Sequence, residues 1–240
     1  MRRLLTSIML FLGAKHVAAQ APIGQIITGC SDPGTIALTF DDGPSVYTPQ
    51  LLDILSANGV KATFFIVGGG WRGAIDDWST QWPSILQRIH NEGHQLASHT
   101  YTHADLSSLS WDAMHAEVGN NENAFMNVLG FFPTYIRPPY LSCSGACMDM
   151  MNNMGYHVIN VNVDTKDYEN TDSSMIWVSK QKFEAEVWGG NIVLAHDIHE
   201  QTVVSLTQFM IDTLRARGLR PVTVGECLGD WGEGWYRGGR

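Results

Sequence analysis

Short apolar runs rich in β-branched and aromatic residues alternate with helix-period segments along most of the chain. No other feature constrains the fold as much. The strand-like runs are Thr35–Phe40, Ala62–Val67, Gln95–Ser98, Tyr135–Arg137, His157–Val163, Asn191–Ala195 and Pro221–Val224. Thr48 as N-cap and Pro49 in a first turn precede Leu51, Leu52, Ile54 and Leu55, and this helix stops at Asn58-Gly59. Further helices are expected from Pro83 to His90, from Trp111 to Leu129 behind Ser110 as cap, and from about Gln201 to Arg217-Gly218. Proline suits a first turn, where its missing N–H has no helical partner anyway, and glycine suits the stop because it adopts the left-handed conformation freely. Strand–helix alternation in one chain calls for a parallel α/β sheet, barrel-like or open, covered by helices. No repeat, low-complexity tract or linker interrupts it, so residues 20–240 are expected to form one domain. A hydrophobic content of 44% is ample for its core.

In parallel α/β folds the site forms beyond the carboxyl ends of the strands. Polar residues stand there after nearly every run: Asp41-Asp42-Gly43-Pro44, Ser98-His99-Thr100-Tyr101-Thr102-His103, Arg137-Pro138-Pro139-Tyr140, Asp164-Thr165-Lys166-Asp167-Tyr168 and Leu194-Ala195-His196-Asp197. Each is ordinary alone. Asp-Gly-Pro is a common turn, paired histidines occur on plain helix surfaces, and a lone strand-end histidine is usually a satisfied core residue. His99 and His103 are spaced i, i+4, which on a helical turn puts both rings on one face. Two histidines and one carboxylate make a catalytic zinc site with a position open for water. A second carboxylate can take the proton of that water, and a further histidine beside an aspartate can act as general acid. Together these groups describe a hydrolase. The remaining histidines fit no such pattern, although His199 lies close to one.

The first residues describe an export signal. Arg2 and Arg3 precede an apolar run, Leu4 to Ala14, and Val17-Ala18-Ala19 supplies small residues for cleavage near Ala19. The run is too short to span a bilayer, and residues 1–19 are expected to be a signal peptide of a secreted, extracellular protein with no membrane association. Loss of Arg2, Arg3 and Lys15 moves the net charge from −9 to −12. That balance excludes a nucleic-acid binder, which needs cations to neutralise phosphates. An oxidising compartment also favours disulfides over a cysteine zinc site. The expected pairs are Cys143–Cys147 and Cys30–Cys227, the latter closing a loop worth roughly 5 kcal/mol on the chain-entropy model.

Thr39-Phe40-Asp41-Asp42-Gly43-Pro44, His99-Thr-Tyr-Thr-His103, Arg137-Pro-Pro-Tyr140, Asp164-Thr-Lys-Asp167-Tyr168 and Leu194-Ala-His196 resemble, in order, the five motifs of the polysaccharide deacetylases, the NodB-homology domain of carbohydrate esterase family 4. The resemblance runs from about Thr35 to Val224 and is strongest to secreted fungal chitin deacetylases. It implies a single-domain α/β fold, a distorted (β/α) barrel with the active site at the C-terminal strand ends. It also implies metal ligation by Asp42, His99 and His103, usually of Zn2+, with Co2+ or another divalent transition metal as a replacement. By the same resemblance Asp41 is the general base, held by Arg137, and the Tyr140 backbone N–H supports the oxyanion. His196 is the general acid, paired with Asp167 or, as competitor, Asp164, while Leu194 and Tyr168 line the acetyl pocket. The family often has Trp where Tyr168 stands.

The expected substrate is chitin or chitooligosaccharide, acted on by a monomer. Acetylxylan and peptidoglycan present an acetyl group to the same metal and stay open as alternatives. A catalytically silent carbohydrate-binding protein is the alternative of another class, against which the presence of both Asp41 and His196 speaks. A non-haem iron oxygenase shares the two-histidine-one-carboxylate set, but this chain has no evident basic residue for a 2-oxoacid beyond Arg137. Aromatic residues such as Trp71, Trp78 and Trp111 suit sugar stacking.

Overall fold

The computed structural model describes residues 21–240 except Glu233, so the expected signal peptide lies outside the described residues. In chain order the elements are β1 (Ile26–Ile27), β2 (Thr35–Asp41), α1 (Thr48–Ala57), β3 (Thr63–Ile66), α2 (Trp82–Asn91), β4 (Gln95–Ser98), α3 (Trp111–Leu129), β5 (Phe132–Pro133), β6 (Tyr135–Ile136), α4 (Ala146–Met154), β7 (His157–Ile159), β8 (Val163–Asp164), α5 (Ile176–Glu186), β9 (Ile192–His196), α6 (Thr207–Ala216), β10 (Arg220–Val222), α7 (Val224–Cys227) and β11 (Tyr236–Arg237). The main sheet runs β1-β7-β6-β4-β3-β2-β9-β8 and curls into a half-barrel wrapped by helices. Strand β10 pairs with the first residues of β2, and β11 pairs with β5 in a separate antiparallel ribbon.

The period-2 alternation of a strand decides which side chains reach the site. On β2, Ile36, Leu38 and Phe40 join the helices in the larger core, together with Leu51, Leu52, Leu55, Phe64, Ile66, Leu86 and Met210. Burying each such side chain contributes about 1.5–3 kcal/mol relative to leaving it exposed. The intervening Ala37 belongs to a second core on the concave side with Phe65, Ala97, Tyr135 and Ile159. By the same alternation Thr39 and Asp41 face inward, at the strand's carboxyl end. The parallel register sets Asp41 opposite His196, Ile66 opposite Ser98 and Ser98 opposite Ile136, so the strands end on a common rim.

Several details differ from the pattern in the sequence. The run His157–Val163 is two strands, β7 and β8, in different parts of the sheet. Residues 160–162 cross between them, with Asn160 N donating to Ile27 O and Asn162 N to Ile192 O. The asparagine side chains replace the ladder: Asn160 Oδ1 accepts from Val161 N, and Asn162 Oδ1 accepts from Asn191 N and Ile192 N. Helix α1 is capped at Tyr47 without a side-chain bond, because Thr48 Oγ1 accepts from Ser45 N and donates to Asp197. The helix expected from Gln201 opens as a π-turn over Thr202–Leu206 before α6. Helices α4 and α5 had no counterpart in the sequence pattern. In α4, Cys147, Met150, Met151 and Met154 are buried at helical spacing directly after the Cys143 loop. In α5 only Ile176, Ser179 and Phe183 are buried amid charged residues. Ser110 caps α3 by accepting from Ala113 N, and Gly130 ends it at φ 76°. The disulfides are Cys30–Cys227 and Cys143–Cys147. Among the described residues, no helix is long and apolar enough to cross a membrane.

Candidate active site

Asp41 and His196 reach the rim as register partners on adjacent strands, β2 and β9. Asp41 is buried, and so is Arg137 at the end of β6. Arg137 Nη1 donates to Asp41 Oδ1 at 2.6 Å and to Thr39 Oγ1 at 2.7 Å, and its guanidinium lies 4.0 Å from the centroid of the Phe65 ring. All three partners stand on the concave face that alternation assigned to them. Burial raises the Asp41 carboxyl above the ordinary aspartate value, while Arg137 and His196 oppose the shift.

Beyond Asp41 the chain leaves the strand, and Asp42 sits at φ 71°. Its Oδ1 lies 3.2 Å from His103 Nε2 and 3.4 Å from His99 Nε2, and all three ligand atoms fall within 4.8 Å of one another. His99 Nδ1 is 2.6 Å from the Arg137 carbonyl, to which it donates as the N–H tautomer, so the Nε2 lone pair faces Asp42. Burial lowers the His99 pKa to about 3, which keeps this ring neutral. Asp42 Oδ1 is buried and has no hydrogen-bond partner. A buried oxygen left unpaired between two imidazole nitrogens fits a divalent cation, because an ion is what the three atoms have in common. His99 and His103 do not share a helical turn, as their spacing suggested. They sit at the two ends of an irregular loop, with left-handed backbone at Thr100 (φ 66°) and His103 (φ 63°), and the loop brings their ring centroids to 4.9 Å.

Across the rim, His196 Nδ1 is 2.8 Å from Asp167 Oδ1. Asp167 Oδ2 accepts from His196 N at 2.6 Å and from Thr202 Oγ1 at 2.8 Å. Burial disfavours a charged ring at His196, but Asp167 and the charges of Asp41 and Asp42 outweigh it and hold the pKa up at about 9. Asp164 points elsewhere: its Oδ1 accepts from Lys166 N and its Oδ2 from the Tyr168 hydroxyl. The histidine's carboxylate partner is therefore Asp167.

These groups open onto one cleft of about 410 Å³, lined by Asp41, Asp42, His99, His103, Pro138, Tyr140, Leu141, Asp164, Tyr168, Leu194 and His196. Tyr140, 70% exposed, stands edge-on to His103, and Tyr168 stands edge-on to His196. Non-glycine residues with positive φ among the described residues are Asp42, Thr100, His103, Tyr140, Leu141 and Lys166. Each belongs to a loop that follows a rim strand. Left-handed backbone costs roughly 1–3 kcal/mol per residue and persists only where the surroundings hold it, so the strain is concentrated at this site.

Of the supports of these loops, Arg72 and Glu117 carry no sequence signal, and Asp197 shows in the sequence only as a polar residue at a strand end. Arg72 Nη1 donates to the carbonyls of Asp42 (3.0 Å) and Pro44 (3.3 Å). The Asp197 carboxylate packs against Gly43, where a Cβ would come within 2.5 Å of Oδ2. Glu117 accepts from the backbone of the loop between the histidines. Arg72, Glu117 and Asp197 lie far apart in sequence, and only Asp197 adjoins a motif. Trp78 and Trp111 are exposed, whereas the Trp71 side chain lies outside the described residues.

A family model described as polysaccharide deacetylase matches residues 28–159. The chain is 49% identical over 223 residues to a chitin deacetylase of Colletotrichum lindemuthianum, covering 91% of this chain and 89% of that protein. It is 47% identical to a chitin deacetylase of a Pestalotiopsis species, covering 92% of this chain and 72% of the relative. The solved structure of the chitin deacetylase from the fungal pathogen C. lindemuthianum superposes with a TM-score of 0.87 at 47% identity, covering 91% of this chain and 98% of that one.

Proposed function

The chain belongs to the polysaccharide deacetylase family, and from that premise we propose how its site works as a chitin deacetylase. The enzyme is a hydrolase that removes N-acetyl groups from N-acetylglucosamine units of chitin or chitooligosaccharides and releases acetate. Asp42, His99 and His103 would hold a divalent metal, and the mix of two imidazoles with one carboxylate favours zinc. Bound there, zinc would supply Lewis acidity to the acetamide carbonyl and to the attacking water. Asp41, fixed by Arg137 and raised by burial, takes the proton of the attacking water. The Tyr140 backbone N–H donates to the oxyanion as the carbonyl becomes tetrahedral. His196, charged at neutral pH, gives its proton to the departing sugar nitrogen, and Asp167 keeps the ring charged and oriented until then. Leu194 and Tyr168 enclose the acetyl methyl.

One observation carries this scheme: a buried Asp42 oxygen without a hydrogen-bond partner lies between His99 and His103, and these three residues line the same cleft as Asp41 and His196. The disulfides and the N-terminal sequence support secretion, and the protein acts as a free monomer. Acetate release from chitooligosaccharides, acetylxylan and peptidoglycan, each after chelation with and without added zinc, tests the scheme. Zinc-dependent release from chitooligosaccharides is expected. Release from xylan or peptidoglycan alone would keep the mechanism and replace the substrate. A zinc-loaded protein that releases none would be a binding protein.

A further inference from the structure

The loop from Thr100 to His103 has an unusual set of supports. It begins and ends with left-handed, non-glycine residues, so it does not hold this shape through local preference. Its backbone groups are bound from two sides. Gly68 N and Gly69 N donate to the carbonyls of Thr100 (3.1 Å) and Tyr101 (2.7 Å), an approach close enough that a Cβ on Gly69 would meet the Tyr101 ring at 2.7 Å. On the other side the amides turn to one carboxylate. Glu117 Oε2 accepts from Tyr101 N at 3.1 Å and Thr102 N at 2.8 Å, while Oε1 accepts from Thr102 Oγ1 at 2.6 Å.

We infer that Glu117 is a positioning residue of the metal site, setting metal affinity by holding the Tyr101–Thr102 backbone so that His103 meets Asp42. The inference rests on the metal reading of the previous subsection. Glu117 is on α3, two turns in from its start, and is half-buried, so its side chain is not part of the core. The neighbouring Asn121 from the same helix holds the base of the loop instead, through Ser98 Oγ and Ile66 O. Hydrogen bonds to a carboxylate are stronger than those to a neutral acceptor, and a rigid helix transmits the position of its anchor. Without the carboxylate, water takes over the two amides. The loop then samples other shapes, and the cost falls on the geometry at His103 rather than on folding.

The test uses Glu117→Gln and Glu117→Ala beside the parent protein, all stripped of metal. Zinc affinity is measured by competition with a chromophoric chelator, and the zinc-free melting temperature by calorimetry. Both variants are expected to bind zinc about 10- to 100-fold more weakly, the usual cost of losing a group that orients a ligand. Their zinc-free melting temperatures should stay near that of the parent. Deacetylation of chitotetraose should fall at limiting zinc and recover in excess zinc. Glu117→Gln keeps the side-chain shape and serves as the readout should the alanine variant not fold. Parental zinc affinity in the variants overturns the inference, as does a loss of affinity matched by a loss of zinc-free stability. A parent protein that binds no zinc overturns the metal reading and this inference together.

Discussion

The two sides of the cleft are built by different means. Asp41 and His196 stand at the ends of paired strands, where sheet register puts them opposite each other and alternation turns Asp41 inward. Asp42, His99 and His103 stand on loops, and Asp42 and His103 have left-handed backbone, which is uncommon outside glycine. On the strand side the sheet itself holds the geometry, and the partners, Arg137 and Asp167, bind the functional side chains directly. On the loop side the supports, Arg72 and Glu117, bind backbone. Proton-transfer groups thus inherit the stiffness of the sheet, whereas the metal grip depends on a framework outside itself.

That contrast breaks first under paired substitutions at the centre. His103→Ala removes a ligand and should abolish both stable zinc retention and turnover, while Asp41→Asn should keep zinc and still lose about 10²- to 10⁴-fold in kcat, the usual contribution of a positioned base. Zinc content after dialysis and acetate release separate the two. A fully active Asp41→Asn protein would remove Asp41 from the role of base. Loss of zinc in Asp41→Asn would show that the two sides do not act independently.

The sequence displays the strand side far better than the loop side, and the reason is physical. Short apolar runs rich in β-branched and aromatic residues state where strands end, and in a parallel fold the ends state where chemistry sits. The strand-end positions of Asp41 and His196 follow from that logic and the Arg137–Asp41 relation from the family motifs, whereas the sequence leaves Asp164 and Asp167 both open as partners of His196 until the fold sets Asp167 beside the ring. The His99–His103 spacing misleads when taken as a helix, because nothing in Thr-Tyr-Thr announces a left-handed backbone. Arg72, Glu117 and Asp197 are single charged residues whose meaning comes only from what the fold sets beside them. The split of His157–Val163 is hidden for a related reason: Val158, Ile159, Val161 and Val163 continue the apolar pattern across a break made by Asn160 and Asn162.

The strand side can be tested further through its proton. His196 is held at about 9 chiefly because Asp167 outweighs the effect of burial. A general acid must be protonated, so kcat/KM should fall as pH rises through about 9. In Asp167→Asn the counter-charge is gone while burial stays, so the basic limb should move down by at least about one pH unit, with a lower maximum. Zinc affinity should change little, since Asp167 touches no ligand of the metal grip. An unmoved limb in the variant would assign it to another group.

The smallest effect should come from Asp197, beneath the Asp42 turn. Its side chain is buried, Oδ2 accepts from Thr48 Oγ1 at 2.5 Å, and Oδ1 has no hydrogen-bond partner. Burial pushes its pKa up to about 7, although Thr48 and Arg72 favour the ionised form. The folded protein therefore holds this proton more tightly than the unfolded chain, whose aspartate titrates near 3.8. Protonation stabilises the fold, a contribution present in full below about pH 4 and lost as pH rises through about 7. Asp197→Asn stays neutral throughout, so the zinc-free protein should lose part of this pH slope, with a melting temperature at pH 8 about 2–4 °C above the parent's. Asp41 is also raised, so some slope should survive in the variant. Parallel curves for variant and parent would mean that Asp197 stays ionised on its loop-side perch across that range, stabilised by Arg72 more than burial disfavours it. The Asp42 turn would then be held by charge pairing rather than by close packing against Gly43.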